Sequence, residues 1–183
     1  HFDGIASRNI HYYVDHVDQP LAGNQQPPLV LIHSINAAAT AYEMKPLFEA
    51  YRGKRDVYAI DMPGFGFSDR SDQVYSKELY KQAILDLLSR IGKPADVIAF
   101  SLSSEFAASA AAEHPEYFRS ISMISPAGFN TQLTKASSAG AQQSGASDSV
   151  YRFLSFPLWS QAIYDLLTIK SSIHWFLQSS FVG

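Results

Sequence analysis

Apolar runs and their polar interruptions divide the first 130 residues into a repeating order. Leu29-Val30-Leu31-Ile32 and Val57-Tyr58-Ala59-Ile60 are short runs with no charged position, the pattern of parallel strands buried on both faces. Asp96–Phe100 and Ile121–Ile124 predict a third and a fourth strand. The stretch 76–91 places Tyr80, Ala83, Ile84, Leu87, Leu88 and Ile91 at three- and four-residue spacing, which predicts an amphipathic helix. Ser76 is its expected N-cap, and Gly92 with Pro94 its stop. Further helices are predicted over 41–51 and over the small-residue stretch 103–113, which His114-Pro115 ends. Residues 8–17 are aromatic and β-branched with partial alternation, which suits an edge strand or hairpin arm. Pro20, Gly23, Asn24, Pro27 and Pro28 then supply turn chemistry. Strands alternating with helices predict an α/β fold, a mainly parallel sheet covered on both faces.

The texture changes after Pro126-Ala127-Gly128. Residues 136–147 are all Ala, Ser, Gly or Gln. Residues 150–183 are aromatic and helical in pattern, with Leu158, Trp159, Ala162, Ile163, Leu166 and Leu167 on one face of a helix opened by Pro157. The expected organisation is a core over 1–130 and a separate helical subdomain over 131–183. The strand order also leads us to expect that these residues are part of a longer chain, because a sheet ending at a fourth buried strand leaves an open edge.

Composition narrows the function classes. The chain has 183 residues, 46% apolar and 17% charged, an ordinary globular balance. A net charge of −3 argues against a nucleic-acid or anionic-membrane surface. With no cysteine there is no disulfide, thiolate metal site or cysteine nucleophile. No His, Asp and Glu spacing resembles a metal site, and no cofactor is expected. No apolar run approaches the ~20 residues of a membrane span, and no targeting pattern stands at the start, so cytoplasm is the default expectation.

The leading candidate for chemistry is Ser101, in Ala99-Phe100-Ser101-Leu102-Ser103, where a buried strand turns directly into a helix. A nucleophile on so sharp a turn needs small residues two before and two after it, and Ala99 and Ser103 are small. By itself the pentapeptide equally allows Ser101 to be a helix N-cap. Two other strand ends carry motifs: His33-Ser34-Ile35 after the first buried strand, and Asp61-Met62-Pro63-Gly64-Phe65-Gly66-Phe67-Ser68-Asp69 after the second.

Together with Glu113-His114-Pro115-Glu116 and Ser125-Pro126, these motifs make residues 10–130 resemble the α/β-hydrolase superfamily. His33-Ser34-Ile35 is similar to its His-Gly-x oxyanion loop, and the Asp61 loop to its Asp-x-Pro-Gly-x-Gly-x-Ser loop. The resemblance implies a hydrolase, either esterase- or lipase-like or acting on a carbon–carbon bond, in which Ser101 attacks a carbonyl carbon to form an acyl-enzyme. The backbone amides of Ile35 and Leu102 would form the oxyanion hole. Residues from 131 onward resemble the family's helical cap, and their aromatic residues suit the apolar portion of an ester or other small-molecule acyl substrate. Ser34 replaces a family glycine and places a hydroxyl near the hole, either narrowing it or adding a donor. Ser101 in place of an aspartate argues against the dehalogenase and epoxide-hydrolase branches.

The family's acid and histidine follow the serine. Here only His114 and His174 do, and they read as a helix-end residue and a packing residue. Asp148 and Asp165 fall in the cap region, so the triad acid and base are not found in this chain. His33 and Asp61 read as structural, and His11 and His16 as solvent-facing. The alternative is a catalytically inactive member that binds a ligand or acts as a scaffold. A cofactor-free oxygenase-like member is not separated from the hydrolase by these residues.

Overall fold

The computed structural model describes residues 1–4, 9–17, 26–129 and 169–170. Strands β1 (Tyr12–Asp15), β2 (Leu29–Ile32), β3 (Val57–Ile60), β4 (Ala95–Phe100) and β5 (Phe118–Ile124) form one sheet in the order β1-β3-β2-β4-β5. β1 is an edge strand antiparallel to β3, and every other pairing is parallel. The helices are α1 (Lys45–Tyr51), α2 (Lys77–Ile91) and α3 (Ser103–Glu113). This is the expected α/β fold. The chain divides into two units, His1–Asn130 and Thr131–Gly183. The low-complexity and aromatic stretches of the second unit, including the helix expected from Pro157, lie outside the described residues.

Every residue of β2 and β3 is buried, and alternate side chains serve two cores on opposite faces. Val30, Ile32, Tyr58 and Ile60 meet Ile84, Leu87 and Leu88 of α2 and Phe106, Ala107 and Ala110 of α3. Leu29, Leu31, Val57 and Ala59 meet Met44 and, from α1, Leu47 and Phe48. Ile32, Ile60 and Leu88 are fully buried, and such side chains each contribute about 1.5–3 kcal/mol. α2 follows its sequence signals closely. The Ser76 hydroxyl accepts from the Leu79 amide at 3.2 Å, and Gly92 closes the helix at φ +69°. Lys77–Glu105 and Lys81–Glu113 ion pairs and a stacked Tyr80–Phe106 contact join α2 to α3.

Two elements differ from expectation. The helix expected over 41–51 is a 3-10 turn, Ala41–Met44, followed by α1. Pro46 is the cause: inside a continuous helix it would lack the bond to residue 42 and its ring would crowd that carbonyl, so it takes the first turn of a new helix. β5 begins at Phe118, three residues before the apolar run. Arg119 and Ser120 extend it through polar contacts: Ser120 donates to Asp96 at 2.6 Å, and Arg119 pairs with the same carboxylate at 3.3 Å.

Candidate active site

The strand order creates the site. From β2 the chain crosses one way to β3 and then returns past β2 to β4. The loop after β2 leads to α1 on one face, while the loop after β4 leads to α3 on the other. Loops diverging from adjacent parallel strands leave a crevice at their carboxyl ends. Ile32 pairs with Ala99 and also with Ile60. His33, Asp61 and Ser101 therefore leave the sheet at one level, which brings the three motifs together.

Ser101 has φ +55°. A non-glycine residue there is strained by about 1–3 kcal/mol and persists only if its surroundings hold it. Both ends of the residue are tied. Its amide donates to the Ile124 carbonyl at 2.9 Å, and its carbonyl accepts from Ser104 at 3.1 Å and Ala127 at 3.2 Å. No side chain caps α3, whose N-cap position is Leu102, so Ser101 does not serve as the helix cap. Ala99 and Ser103 are fully buried. The Ser103 hydroxyl donates to the His33 carbonyl at 2.6 Å, linking the start of α3 to the loop after β2. Neither the Ile35 nor the Leu102 amide donates to another described backbone or side-chain acceptor.

His33 is fully buried. Met62 donates its amide to Nε2 at 3.0 Å, so the proton is on Nδ1, which donates to the Ser34 carbonyl at 2.5 Å. Burial pushes the His33 pKa below its ordinary value, against opposing contributions from the Ser34 carbonyl, Asp61 and Glu43. It is a neutral strut, as its sequence position suggests. Ser34 resolves the choice left open above. Its single hydroxyl proton goes to Glu43 Oε1 at 3.0 Å, and its oxygen accepts from Asn36 Nδ2 at 2.6 Å. It is not an additional donor to the crevice.

Asp61 is a hub. Its buried carboxylate accepts from the Ala41 amide at 2.8 Å, the Phe67 amide at 3.1 Å and His11 Nδ1 at 3.0 Å. A Cβ on Gly66, at φ +52°, would sit 2.1 Å from the Asp61 carboxylate carbon, which fixes glycine at that step of the loop. Ser68 donates to the Asp61 carbonyl at 2.5 Å and accepts from the His11 amide at 2.8 Å. Ser68 bonds to backbone groups only, so it does not form a nucleophile–base–acid relay with the His11–Asp61 side-chain pair. His11 corrects the solvent-facing expectation: its side chain is 16% exposed and held by Asp61. His16 is 59% exposed, as expected.

His114 stands at the end of α3, bonded to Glu116 at 3.0 Å, far along the helix from Ser101. His174, Asp148 and Asp165 lie outside the described residues. Among the described residues no three His, Asp or Glu side chains are grouped to hold a metal ion, and no helix is long and apolar enough to cross a membrane. Sequence reasoning missed Glu43. Its spacing from Thr40, Thr-x-x-Glu, reads as a capping box, yet the carboxylate turns to Ser34 instead.

The family model described as "alpha/beta hydrolase fold" matches residues 27–180. Among curated proteins, the chain is 30% identical over 111 residues to a 2-hydroxymuconate semialdehyde hydrolase of Pseudomonas sp. (strain CF600), covering 59% of this chain and 39% of that protein. It is 25% identical over 122 residues to the uncharacterized hydrolase YugF of Bacillus subtilis (strain 168), covering 66% and 42%. Among solved structures, a mutant of the meta-cleavage product hydrolase CumD superposes with TM-score 0.55 at 23% identity, over 67% of this chain and 42% of that one. The chain thus spans about two fifths of the length of the curated relatives it matches.

Proposed function

Because the chain belongs to the α/β-hydrolase family, we propose that it is the nucleophile-bearing part of a serine hydrolase acting on a small-molecule acyl substrate. Ser101 Oγ attacks the substrate carbonyl carbon, and the bond to the leaving group breaks to give an acyl-enzyme that water then hydrolyses. The amides of Ile35 and Leu102 receive the developing oxyanion, and one such donor typically lowers the barrier by about 3 kcal/mol. The observation that carries this reading is the backbone of Ser101: a non-glycine residue at φ +55°, at the carboxyl end of β4, is strain kept at the mouth of the crevice. The acid and base of the triad are assigned to no residue described here.

The likeness to a hydrolase of 2-hydroxymuconate semialdehyde supports the carbon–carbon branch of the expected hydrolase chemistry. That compound contains no ester, so its hydrolysis breaks a carbon–carbon bond, and we include such substrates beside esters. The aromatic stretch 150–183 supports an apolar portion in either case.

A fluorophosphonate probe applied to the full-length protein tests the nucleophile. Labelling of the parent at Ser101, and none of Ser101→Ala, is the expected result, with kcat on p-nitrophenyl butyrate reduced about 10⁵–10⁶-fold in the variant. Equal labelling of both proteins would remove Ser101 from the mechanism. No labelling of either, with saturable ligand binding, would favour the non-catalytic alternative.

A further inference from the structure

We propose that Glu43 is a positioning residue of the oxyanion hole, acting through Ser34. The inference rests on the reading of Ile35 as an oxyanion donor and goes beyond it by naming what aims that donor.

The Ser34 carbonyl and the Ile35 amide are opposite ends of one peptide plane. No peptide bond among the described residues is cis, so in this planar unit the C=O direction fixes the N–H direction, antiparallel to it. His33 Nδ1 holds the Ser34 carbonyl at 2.5 Å. That single bond leaves the residue free to pivot about its other end, and Glu43 removes the freedom. Glu43 Oε2 accepts from the Ser34 amide at 2.6 Å and Oε1 from the Ser34 hydroxyl at 3.0 Å. Charge-assisted bonds of this kind are the strong ones. Ser34 is therefore gripped at its amide, side chain and carbonyl, and the Ile35 amide is left to point into the crevice.

The grip has a firm anchor. Glu43 belongs to the Ala41–Met44 turn, and the Ala41 amide is bonded to the buried Asp61 carboxylate at 2.8 Å. Asn36 adds a second contact to the Ser34 hydroxyl. A carboxylate is an unfavourable neighbour for a developing oxyanion, so its placement here is explained by geometry and not by charge. This difference makes the role separable: a neutral side chain with an acceptor in the same place should do the work as well.

The test measures kcat and KM of the full-length protein on p-nitrophenyl butyrate for Glu43→Ala, Glu43→Gln and Glu43→Asp, with thermal melting of each. Glu43→Ala is expected to lower kcat about tenfold or more with KM within about twofold, because the lost alignment is felt by the transition state. Glu43→Gln, whose amide oxygen still accepts from Ser34, should recover most of the rate. If Glu43→Ala does not melt cooperatively, the comparison of Asp with Gln decides: Asp keeps the charge but withdraws the acceptor, and should be the slower. Rates within twofold of the parent in Ala, or equal rates in Asp and Gln, would overturn the inference. Its failure is distinguishable from failure of the nucleophile assignment, because in the first case Ser101 still takes the fluorophosphonate and in the second it does not.

Discussion

The two ends of the parallel strands carry polar networks built to opposite purposes. At the amino end, Arg55 lies between β2 and β4, donating to the Pro28 carbonyl at 3.1 Å and to Asp96 at 2.7 Å. Asp96 is completed by Ser120 and Arg119. Opposite charges face each other there, and the buried Arg55 Nε is left without a hydrogen-bond partner among the described residues. At the carboxyl end, Asp61, His33, Glu43 and Ser103 bond chiefly to backbone amides and carbonyls. These side chains hold loops at fixed angles, beside the amides of Ile35 and Leu102, which donate to no other described acceptor. A network that pairs charges stabilises a fold, and a network that grips backbone aims it.

That difference is broken most forcefully from the amino end. Arg55 is 9% exposed and Asp96 14%, so Arg55→Ala removes one of three partners of a mostly buried carboxylate and should cost about 1.5–3 kcal/mol in chemical denaturation. Hydrolysis by the folded fraction should be unchanged. A matching fall in kcat would mean that the two ends are coupled and the contrast is false.

Acid separates the ends next, and with different windows. Burial of Asp96 raises its pKa, but the bonds from Ser120 and Arg55 and the charges of Arg55 and Arg119 outweigh it, so the net pKa is lowered. The folded carboxylate binds a proton less readily than the unfolded one. Its contribution is present above the ordinary value near ~3.9 and is lost as pH falls through the folded value. Buried His33 is also shifted down, so below its ordinary value near ~6.5 the unfolded chain takes up a proton that the folded chain refuses. Stability should fall from there at up to about 1.4 kcal/mol per pH unit, until the folded His33 itself titrates. Urea titrations between neutral pH and pH 5 should show a shallower slope for His33→Gln than for the parent. Identical slopes would mean that His33 is not held neutral.

The smallest expected effect sharpens the contrast at Ser101. Ser101→Gly relieves the φ +55° strain and should raise stability by up to about 1 kcal/mol while abolishing labelling by the fluorophosphonate. A destabilised Ser101→Gly would show that the hydroxyl, and not the backbone, carries the stability of the turn.

What could be read from the sequence follows the same division. β2 and β3 were legible to the residue because complete burial removes every charged side chain from the run. α3 was legible because Ala and Ser are tolerated where a helix meets a sheet closely. β5 was legible only in part, since Arg119 and Ser120 earn their places through Asp96, a residue 24 positions earlier. At the site, the three motifs located the strand ends and the sharp turn at Ser101. They did not give His11, whose partner Asp61 is 50 positions away. Nor did they give Glu43, whose capping-box spacing pointed to a local bond that a distant amide won. Periodicity reports what lies along one element; side chains that bind the backbone of another leave no period.

The bond from Ser103 to the His33 carbonyl has a mechanical consequence. It crosses the seam where β2 and β4 send their chains apart, and so it ties the loop after β2 to the start of α3. A glycine at position 103 would leave that join to the sheet alone. With serine there, a side chain as well as the β2–β4 ladder holds the two loop starts together.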